Sequence, residues 1–414
     1  MFQWSNLVII SLTQKCNLNC KYCFLGDKES LSPETMSFDT YKKITEKIVF
    51  DFKKTQRTTP IQILLHGGEP LLIEASLLDK MLTYSDALFK SNNIPVIMSI
   101  QTNGIKLTRE YRTILKEHSV EVGVSIDSLT RNLRANKKIN QQILNNINEA
   151  SKEGLSLGTN TVVTQDNLNG VLEKTIETLP ANLRCTKVNA VEDSSSYTSY
   201  APSAKDFFEK VIKPSLLDYL EGKQYAAGYV DRIVARCLAY KMTIHSYDSC
   251  KSTCQFKYCG AAVNLISIMP NGTVRLCDHW RGDETFYNPK IQNVDSYDFL
   301  NLKQLKGLID WISFLNPLYK KCDSCLLSDY CIYPCPLLRI KRGEDNTQFN
   351  CELTKLLFNY CEENCKFIID MMIKNHRGIV ETQEMVMFRE SRNPELKDYK
   401  IRIINDHVLE VSHV

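Results

Sequence analysis

Two hydrophobic periods alternate along residues 1–200 of the 414-residue chain. Short apolar runs rich in β-branched residues stand at LVIISL (7–12), IQILL (61–65), PVIMSIQT (95–102), VEVGVSID (120–127), LSLGTNTVVT (155–164) and RCTKVNAV (184–191). Their length and composition are those of strands. Between them, FDTYKKITEKIVFDFKK (38–54), SLLDKMLTYSDALFK (76–90), TREYRTILKEH (108–118), INQQILNNINEASKEG (139–154, with a Gly stop) and LEKTIETL (172–179) read as amphipathic helices. Strand–helix alternation predicts parallel βαβ units with right-handed crossovers. Six such units predict an α/β fold, a partial (β/α)6 TIM-like barrel over residues 1–200, with its site at the C-terminal strand ends.

Past residue 200 the pattern changes. Residues 201–249 read as a helical connecting segment, 250–355 as a small cysteine-rich domain, and 356–414 as a C-terminal helix and tail. Cys361 and Cys365 sit at i,i+4 in LLFNYCEENCKFIIDMM, as packing positions on one helix face. In the tail, 376–414, EMVMF and YKIRIINDHVLEV are two possible strands of a packing appendage.

Composition narrows the compartment and the partners. A formal net charge of +3 is too small to argue for nucleic acid or a membrane surface. No long uncharged apolar run is present, so no transmembrane helix is expected. MFQWSNLVIISLTQKC lacks a basic n-region and a small-residue cleavage site, which predicts a cytoplasmic protein. In a reducing cytoplasm, sixteen cysteines are better explained by metal than by disulfides.

The cysteines fall into groups. Cys16, Cys20 and Cys23 form C-x3-C-x2-C directly after the first strand. Cys250, Cys254, Cys259 and Cys277 follow, then Cys322, Cys325, Cys331 and Cys335, then Cys351; Cys185 and Cys237 stand apart. Structural zinc takes four closed ligands, whereas the first group offers three thiolates and the next candidate, His66, is remote in sequence. Three thiolates suit a 4Fe–4S cluster with one iron left open, since a complete cluster takes four.

C-x3-C-x2-C with the aromatic Tyr22 before the third cysteine resembles the radical S-adenosylmethionine (SAM) superfamily. The resemblance implies that Cys16, Cys20 and Cys23 hold three irons and that SAM chelates the fourth through its amino and carboxylate groups. One electron then cleaves SAM to methionine and a 5′-deoxyadenosyl radical, which abstracts hydrogen from substrate. Other strand ends fit the same family. HGGEP (66–70) after strand two resembles the segment whose backbone and glutamate receive the SAM amino group, which implicates Gly67, Gly68, Glu69 and Pro70. Asn103 of QTNG, after strand three, joins the cofactor set. Ser125 and Asp127 of SID, at the end of strand four, match the family's serine and aspartate near the SAM ribose and carboxylate. Arg131 or Arg134 reaches the carboxylate, with Arg134 preferred. Ser128 and Leu129 replace the Gly-Pro of many relatives, which leaves the register to the arginines open.

The run Cys259-x12-Gly272-x4-Cys277, then Cys322-x2-Cys325-x5-Cys331-x3-Cys335, then Cys351, resembles the SPASM domain of peptide-modifying radical SAM enzymes. By that resemblance Cys322, Cys325, Cys331 and Cys351 hold one auxiliary 4Fe–4S cluster. Cys259, Cys277 and Cys335 hold another, with Cys254 as the fourth thiolate and Cys250 as its fallback. Three clusters and SAM are thus expected; one or two zinc ribbons are the reading without the family. Asn271-Gly272 is a hairpin signal, and the strand after it is expected to carry Cys277 into the site.

The family implies maturation of a ribosomally made peptide through a thioether or carbon–carbon cross-link. The alternative is an anaerobic sulfatase-maturating enzyme that oxidises Ser or Cys to formylglycine, with Asp278 as the catalytic proton acceptor. A third reading, a non-catalytic iron–sulfur electron-transfer protein, leaves GGEP and SID without a reason to stand at strand ends. The partners implied are a peptide or protein substrate and an external flavodoxin- or ferredoxin-type electron donor. Only six residues precede the first strand, so no leader-reading module is expected ahead of it, and a separate leader-binding protein is a further implied partner.

Overall fold

The computed structural model describes residues 7–23, 25, 33–55, 60–127, 134–169, 179, 186–190, 201–222, 265–275, 277–278, 292–293, 322, 324–327, 331, 348–375, 399–404 and 407–413. Strands β1 (Leu7–Thr13), β2 (Ile61–Gly67), β3 (Val96–Thr102), β4 (Glu121–Ser125), β5 (Leu157–Val163) and β6 (Thr186–Ala190) lie side by side in that order, all parallel. Helices α1 (Phe38–Thr55), α2 (Ala75–Ser91), α3 (Arg109–Glu117) and α4 (Lys137–Lys152) connect them. Of the helix expected at 172–179, only Leu179 lies within the described residues. The result is the parallel α/β sheet of a partial barrel that does not close, since β6 ends one side of the sheet.

On the other side the sheet continues with the second half of the chain. β7 (Leu265–Ile268) pairs parallel with β1, β8 (Thr273–Arg275) turns back antiparallel, and β9 (Gln292–Asn293) pairs with β8. Asn271-Gly272 makes the expected hairpin: Gly272 N donates to Met269 O, and Gly272 adopts φ +84°, a conformation natural only to glycine.

The strands are two-faced. Val8, Ile10 and Leu12 of β1, Ile61, Ile63 and Leu65 of β2, Ile100 of β3 and Val122 and Val124 of β4 are buried in one apolar cluster with Ile44, Ile48, Leu78, Leu82, Leu115, Ile143 and Ile147 of the helices. By the period-two alternation of a strand, the opposite face carries Ser11, His66, Gln101, Ser125 and Asn160. Helix ends follow local chemistry. Asn136 caps α4 by accepting from Ile139 N at 3.0 Å. After α4, Leu155 N donates to Ala150 O past Gly154 at φ +77°, a Schellman closure at the expected Gly stop.

The connecting segment is helical over Ala204–Phe207, Phe208–Ile212 and Lys213–Leu220. Its middle section is π-wound, next to Pro214, which has no N–H to give an i→i−4 bond. Two expectations need correction. The one helix face expected for Cys361 and Cys365 is divided between two helices, Gln348–Glu363 and Cys365–Lys374, which meet at Asn364 (φ −115°, ψ 15°); both thiols are nevertheless buried. YKIRIINDHVLEV is a hairpin rather than one strand: Tyr399–Ile404 pairs antiparallel with His407–His413 around Asn405-Asp406, residue types that favour turns. EMVMF lies outside the described residues. No described helix is long and apolar enough to cross a membrane.

Candidate active site

β1 delivers the chain into the loop that carries Cys16, Cys20 and Cys23, all half-buried. The loop is closed at its base. Thr13 bridges Thr35, Thr13 Oγ1 donates to Glu34 O at 2.8 Å, and Met36 N donates to Leu12 O at 2.7 Å. Leu18 N donates to Cys16 Sγ at 3.5 Å, and Cys23 N donates to Cys20 O at 3.1 Å. Burial pushes the Cys20 thiol up to about 12; Arg134 opposes the shift, and the charges of Cys23, Asp127 and Cys16 add to it. Cys16 is raised by burial too, partly relieved by the Leu18 N–H and raised further by Glu69 and Cys23. Desolvated in this way, the Cys16 and Cys20 thiols stay neutral unless a cationic centre holds them as thiolates.

The GGEP segment packs against this loop. Gly68 N donates to Thr13 O and Glu69 N to Lys15 O, both at 2.8 Å. A Cβ on Gly68 would stand 2.3 Å from Lys15 O and 2.4 Å from Gln14 O, and one on Gly67, at φ +132°, 2.1 Å from Thr13 O. The close approach that these glycines permit is therefore to the chain's own backbone where it enters the cysteine loop. Glu69 is buried, and Pro70 opens a short 3-10 turn after it. The Glu69 carboxylate accepts from Leu71 N at 3.1 Å, Thr102 Oγ1 at 2.7 Å and Asn103 N at 2.7 Å. Burial raises its pKa against those three bonds and against Arg134.

Across the sheet, Gln101 Nε2 donates to Ser125 Oγ at 2.8 Å, its amide lying over Gly123. Asp127 is buried and accepts from Val162 N at 3.0 Å, which ties the end of β4 to β5. Burial raises its pKa; Arg134 opposes the rise. Arg134 stands within electrostatic reach of Cys20, Asp127, Glu69 and Cys16, and this ring of acids raises its pKa against the cost of burial. Its Nε has no hydrogen-bond partner among the described residues. Arg131 lies outside them. Tyr22 is buried against Cys20, Val162 and Ala201. One polar neighbourhood thus collects Cys16, Cys20, Cys23, Glu69, Asn103, Asp127 and Arg134. Sequence reasoning missed Asn17, Gln101 and Thr102, although CNL and QTNG contain them.

In the cysteine-rich half, burial pushes the Cys331 thiol up to about 11; its bond to Thr354 Oγ1 relieves this, and the charges of Cys322, Cys351 and Cys325 add to it. The four cysteines expected to share one cluster therefore lie within electrostatic reach of one another. Cys351 stands on the helix Gln348–Glu363. Cys250, Cys254, Cys259 and Cys335 lie outside the described residues. The hairpin departs from expectation. β8 runs away from the cysteine-loop end: its last residue, Arg275, pairs with Ser267, which pairs with Ile9. Ile9 is four residues short of Thr13, on the order of 13 Å at 3.3 Å per residue. Cys277 and Asp278 lie just past the end of β8, and β8 itself runs away from the end of the sheet that carries Cys16, Cys20 and Cys23.

The structure thus offers a parallel sheet with three thiols after its first strand, braced by a glycine turn after its second. Residues 10–179 match the Radical SAM superfamily. Over 372 residues the chain is 24% identical to the cysteine-type anaerobic sulfatase-maturating enzyme of Clostridium novyi (strain NT), covering 85% of this chain and 94% of that protein. It is 25% identical over 389 residues to the radical SAM cyclopropyl synthase TigE of Paramaledivibacter caminithermalis, covering 86% and 74%. The solved structure of native anSMEcpe with bound AdoMet and Cp18Cys peptide superposes with a TM-score of 0.68 at 17% identity, covering 89% of this chain and 99% of that one. Residues 10–179 thus carry a Radical SAM domain, and the chain is an enzyme similar over most of its length to a sulfatase maturase and a radical SAM peptide modifier. Such a domain implies SAM and a 4Fe–4S cluster. Three half-buried thiols on one loop, beside the half-buried Arg134, are the donor chemistry of that cluster, although among the described residues no three Cys, His, Asp or Glu side chains stand close enough together to hold a metal ion.

Proposed function

We propose that the enzyme matures a ribosomally made peptide by joining one of its side chains to a carbon atom, as a thioether or a carbon–carbon bond. The observation that carries this reading is the parallel pairing of β7 with β1. It joins residues 265–268, which lead into the cysteine-rich half, directly to the strand that feeds the cysteine loop. A cross-link needs two oxidising equivalents: a hydrogen atom leaves a carbon, then a proton and an electron leave as the new bond closes. When bound, SAM and the cluster at Cys16, Cys20 and Cys23 supply the one-electron chemistry that yields the 5′-deoxyadenosyl radical. Glu69, Asn103, Ser125, Asp127, Arg134 and Tyr22 surround SAM in this reading, with Arg134 set against its carboxylate. Cys322, Cys325, Cys331 and Cys351 hold one auxiliary cluster; Cys259, Cys277 and Cys335 hold the other, with Cys254. An external flavodoxin- or ferredoxin-type donor reduces the enzyme, and a separate protein presents the leader.

The second reading, formylglycine formation, is favoured by the similarity to the Clostridium novyi maturase. It requires a base within hydrogen-bond reach of the substrate thiol or hydroxyl, and the course of β8 away from the cysteine loop speaks against Asp278 in that role. Mass spectrometry separates the two after anoxic reaction with SAM and dithionite. The test substrates are the short peptides encoded beside the gene and a cysteine-bearing sulfatase peptide. A cross-link removes two hydrogens, about 2 Da; conversion of cysteine to formylglycine exchanges hydrogen sulfide for an oxygen from water, a loss of about 18 Da. The 2 Da loss on a neighbouring peptide is the expected outcome. The 18 Da loss on the sulfatase peptide, abolished in Asp278→Asn, would replace the cross-linking function with the second one. With Cys16, Cys20 and Cys23 all changed to Ala, no 5′-deoxyadenosine is expected.

A further inference from the structure

We infer that Asn17 and Asn103 are positioning residues that clamp Cys16, the first thiol of the cysteine loop. Cys16 is gripped through both of its chain neighbours. On one side, Lys15 O accepts from Glu69 N at 2.8 Å. On the other, Asn17 Oδ1 accepts from Asn103 Nδ2 at 2.7 Å. The two grips are joined, because the Glu69 carboxylate accepts from Asn103 N at 2.7 Å. Lys15, Cys16, Asn17, Asn103 and Glu69 thus form a closed ring of covalent and hydrogen bonds around one cysteine. The orientation of the Asn103 amide is not free: its Oδ1 accepts from Ile105 N at 3.0 Å, which leaves Nδ2 to face the loop. Asn103 is buried, and Glu69 is anchored further by Leu71 N and Thr102 Oγ1. Glu69 and Asn103 are buried and hydrogen-bonded just past the ends of β2 and β3, so the clamp gives the loop a fixed reference at Cys16. This holds Glu69 and Asn103 to the loop by bonds that need no bound cofactor.

The inference rests on Cys16 being a ligand of the SAM-binding cluster. Hydrogen-bond polarity supplies a specific test in the whole chain, reconstituted anoxically. Asn17→Ala removes the acceptor. Asn17→Asp keeps an acceptor for Asn103 Nδ2. Asn103→Asp can be met by exposed Asn17 turning its amide to donate. Asn17→Asp combined with Asn103→Asp sets two carboxylates face to face and cannot be met. The readouts are the SAM-induced change in the low-temperature EPR spectrum of the dithionite-reduced protein and SAM affinity by equilibrium dialysis. Asn17→Ala should weaken SAM binding roughly tenfold and lose most of the spectral change, with Asn17→Asp restoring it. The double Asp variant should lose far more than the two single losses combined. Circular dichroism checks that each variant folds. If the double variant does not fold, the comparison of Asn17→Ala with Asn17→Asp decides. Equal spectra and affinities for those two, or additive losses in a folded double variant, would overturn the clamp. A wild-type spectrum that does not respond to SAM while Cys16→Ala matches it would remove the ligand assignment beneath it.

Discussion

At the scale of single residues, the candidate site depends on contacts too close for any side chain to intervene. Gly68 is the tightest case. The carbonyl oxygens of Gln14 and Lys15 stand where its Cβ would go, and both belong to the backbone that leads into Cys16. Backbone cannot rotate aside as a flexible side chain can, so Gly68→Ala must push the glycine turn off the loop. Overpacking of this kind costs about 1–3 kcal/mol. Gly68→Ala is expected to lower the melting temperature and to reduce iron bound at the Cys16, Cys20 and Cys23 site; a variant with wild-type melting and iron content would show that the turn has room. Much of this site was legible in the sequence, because thiol spacing and a Gly-Gly pair are local signals. The bond between Asn17 and Asn103 was not, since it joins residues 86 apart whose identities are ordinary for loops. Nor was the purpose of the glycines: a ligand and a passing backbone make the same demand for a missing Cβ.

At the scale of elements, helix packing carries a titratable joint. His118, just after α3, places Nδ1 2.5 Å from Asp86 Oδ2 and Nε2 3.2 Å from Asp79 Oδ1, both on α2. Burial works to lower its pKa, but the hydrogen bonds to Asp86 and Asp79 outweigh it, and the net shift is upward from the ordinary 6.5. A histidine that is more basic in the folded state stabilises the fold fully below its unfolded pKa and loses that contribution as pH rises through its folded pKa. The wild-type melting temperature is therefore expected to fall as pH rises above about 6.5, and His118→Gln should flatten the curve in that window. An unchanged slope in the variant would place the pH dependence elsewhere. The strands and α1–α4 were readable to within a few residues, because one buried and one polar face write their periods into the chain. What escaped was the break at Asn364, where both flanking helices keep their apolar spacing, and the hairpin at 399–413, where two strands of like composition read as one.

At the scale of the whole molecule, the sheet runs from β6 to β9, and the contribution of the second half enters at β1. No local signal could announce that pairing: LISI is an unremarkable apolar run, and its partner β1 lies at the other end of the chain. The pairing ties β7, and through it β8 and β9, to the sheet, while Cys322, Cys325, Cys331 and Cys351 form a group of their own around Cys331. Two thiol groups on different parts of the chain should load and fail independently. The three clusters proposed above correspond to about twelve irons per chain, with little zinc expected. Cys331→Ala removes the thiol within electrostatic reach of Cys322, Cys325 and Cys351, so about four irons should be lost while the cluster proposed at Cys16, Cys20 and Cys23 remains. That variant is expected to keep forming 5′-deoxyadenosine from SAM, but to yield little modified peptide. The iron assay and the product assay together decide the architecture. Zinc in place of the four irons would identify the second group as a ribbon, and loss of all iron would show that the two groups fold as one.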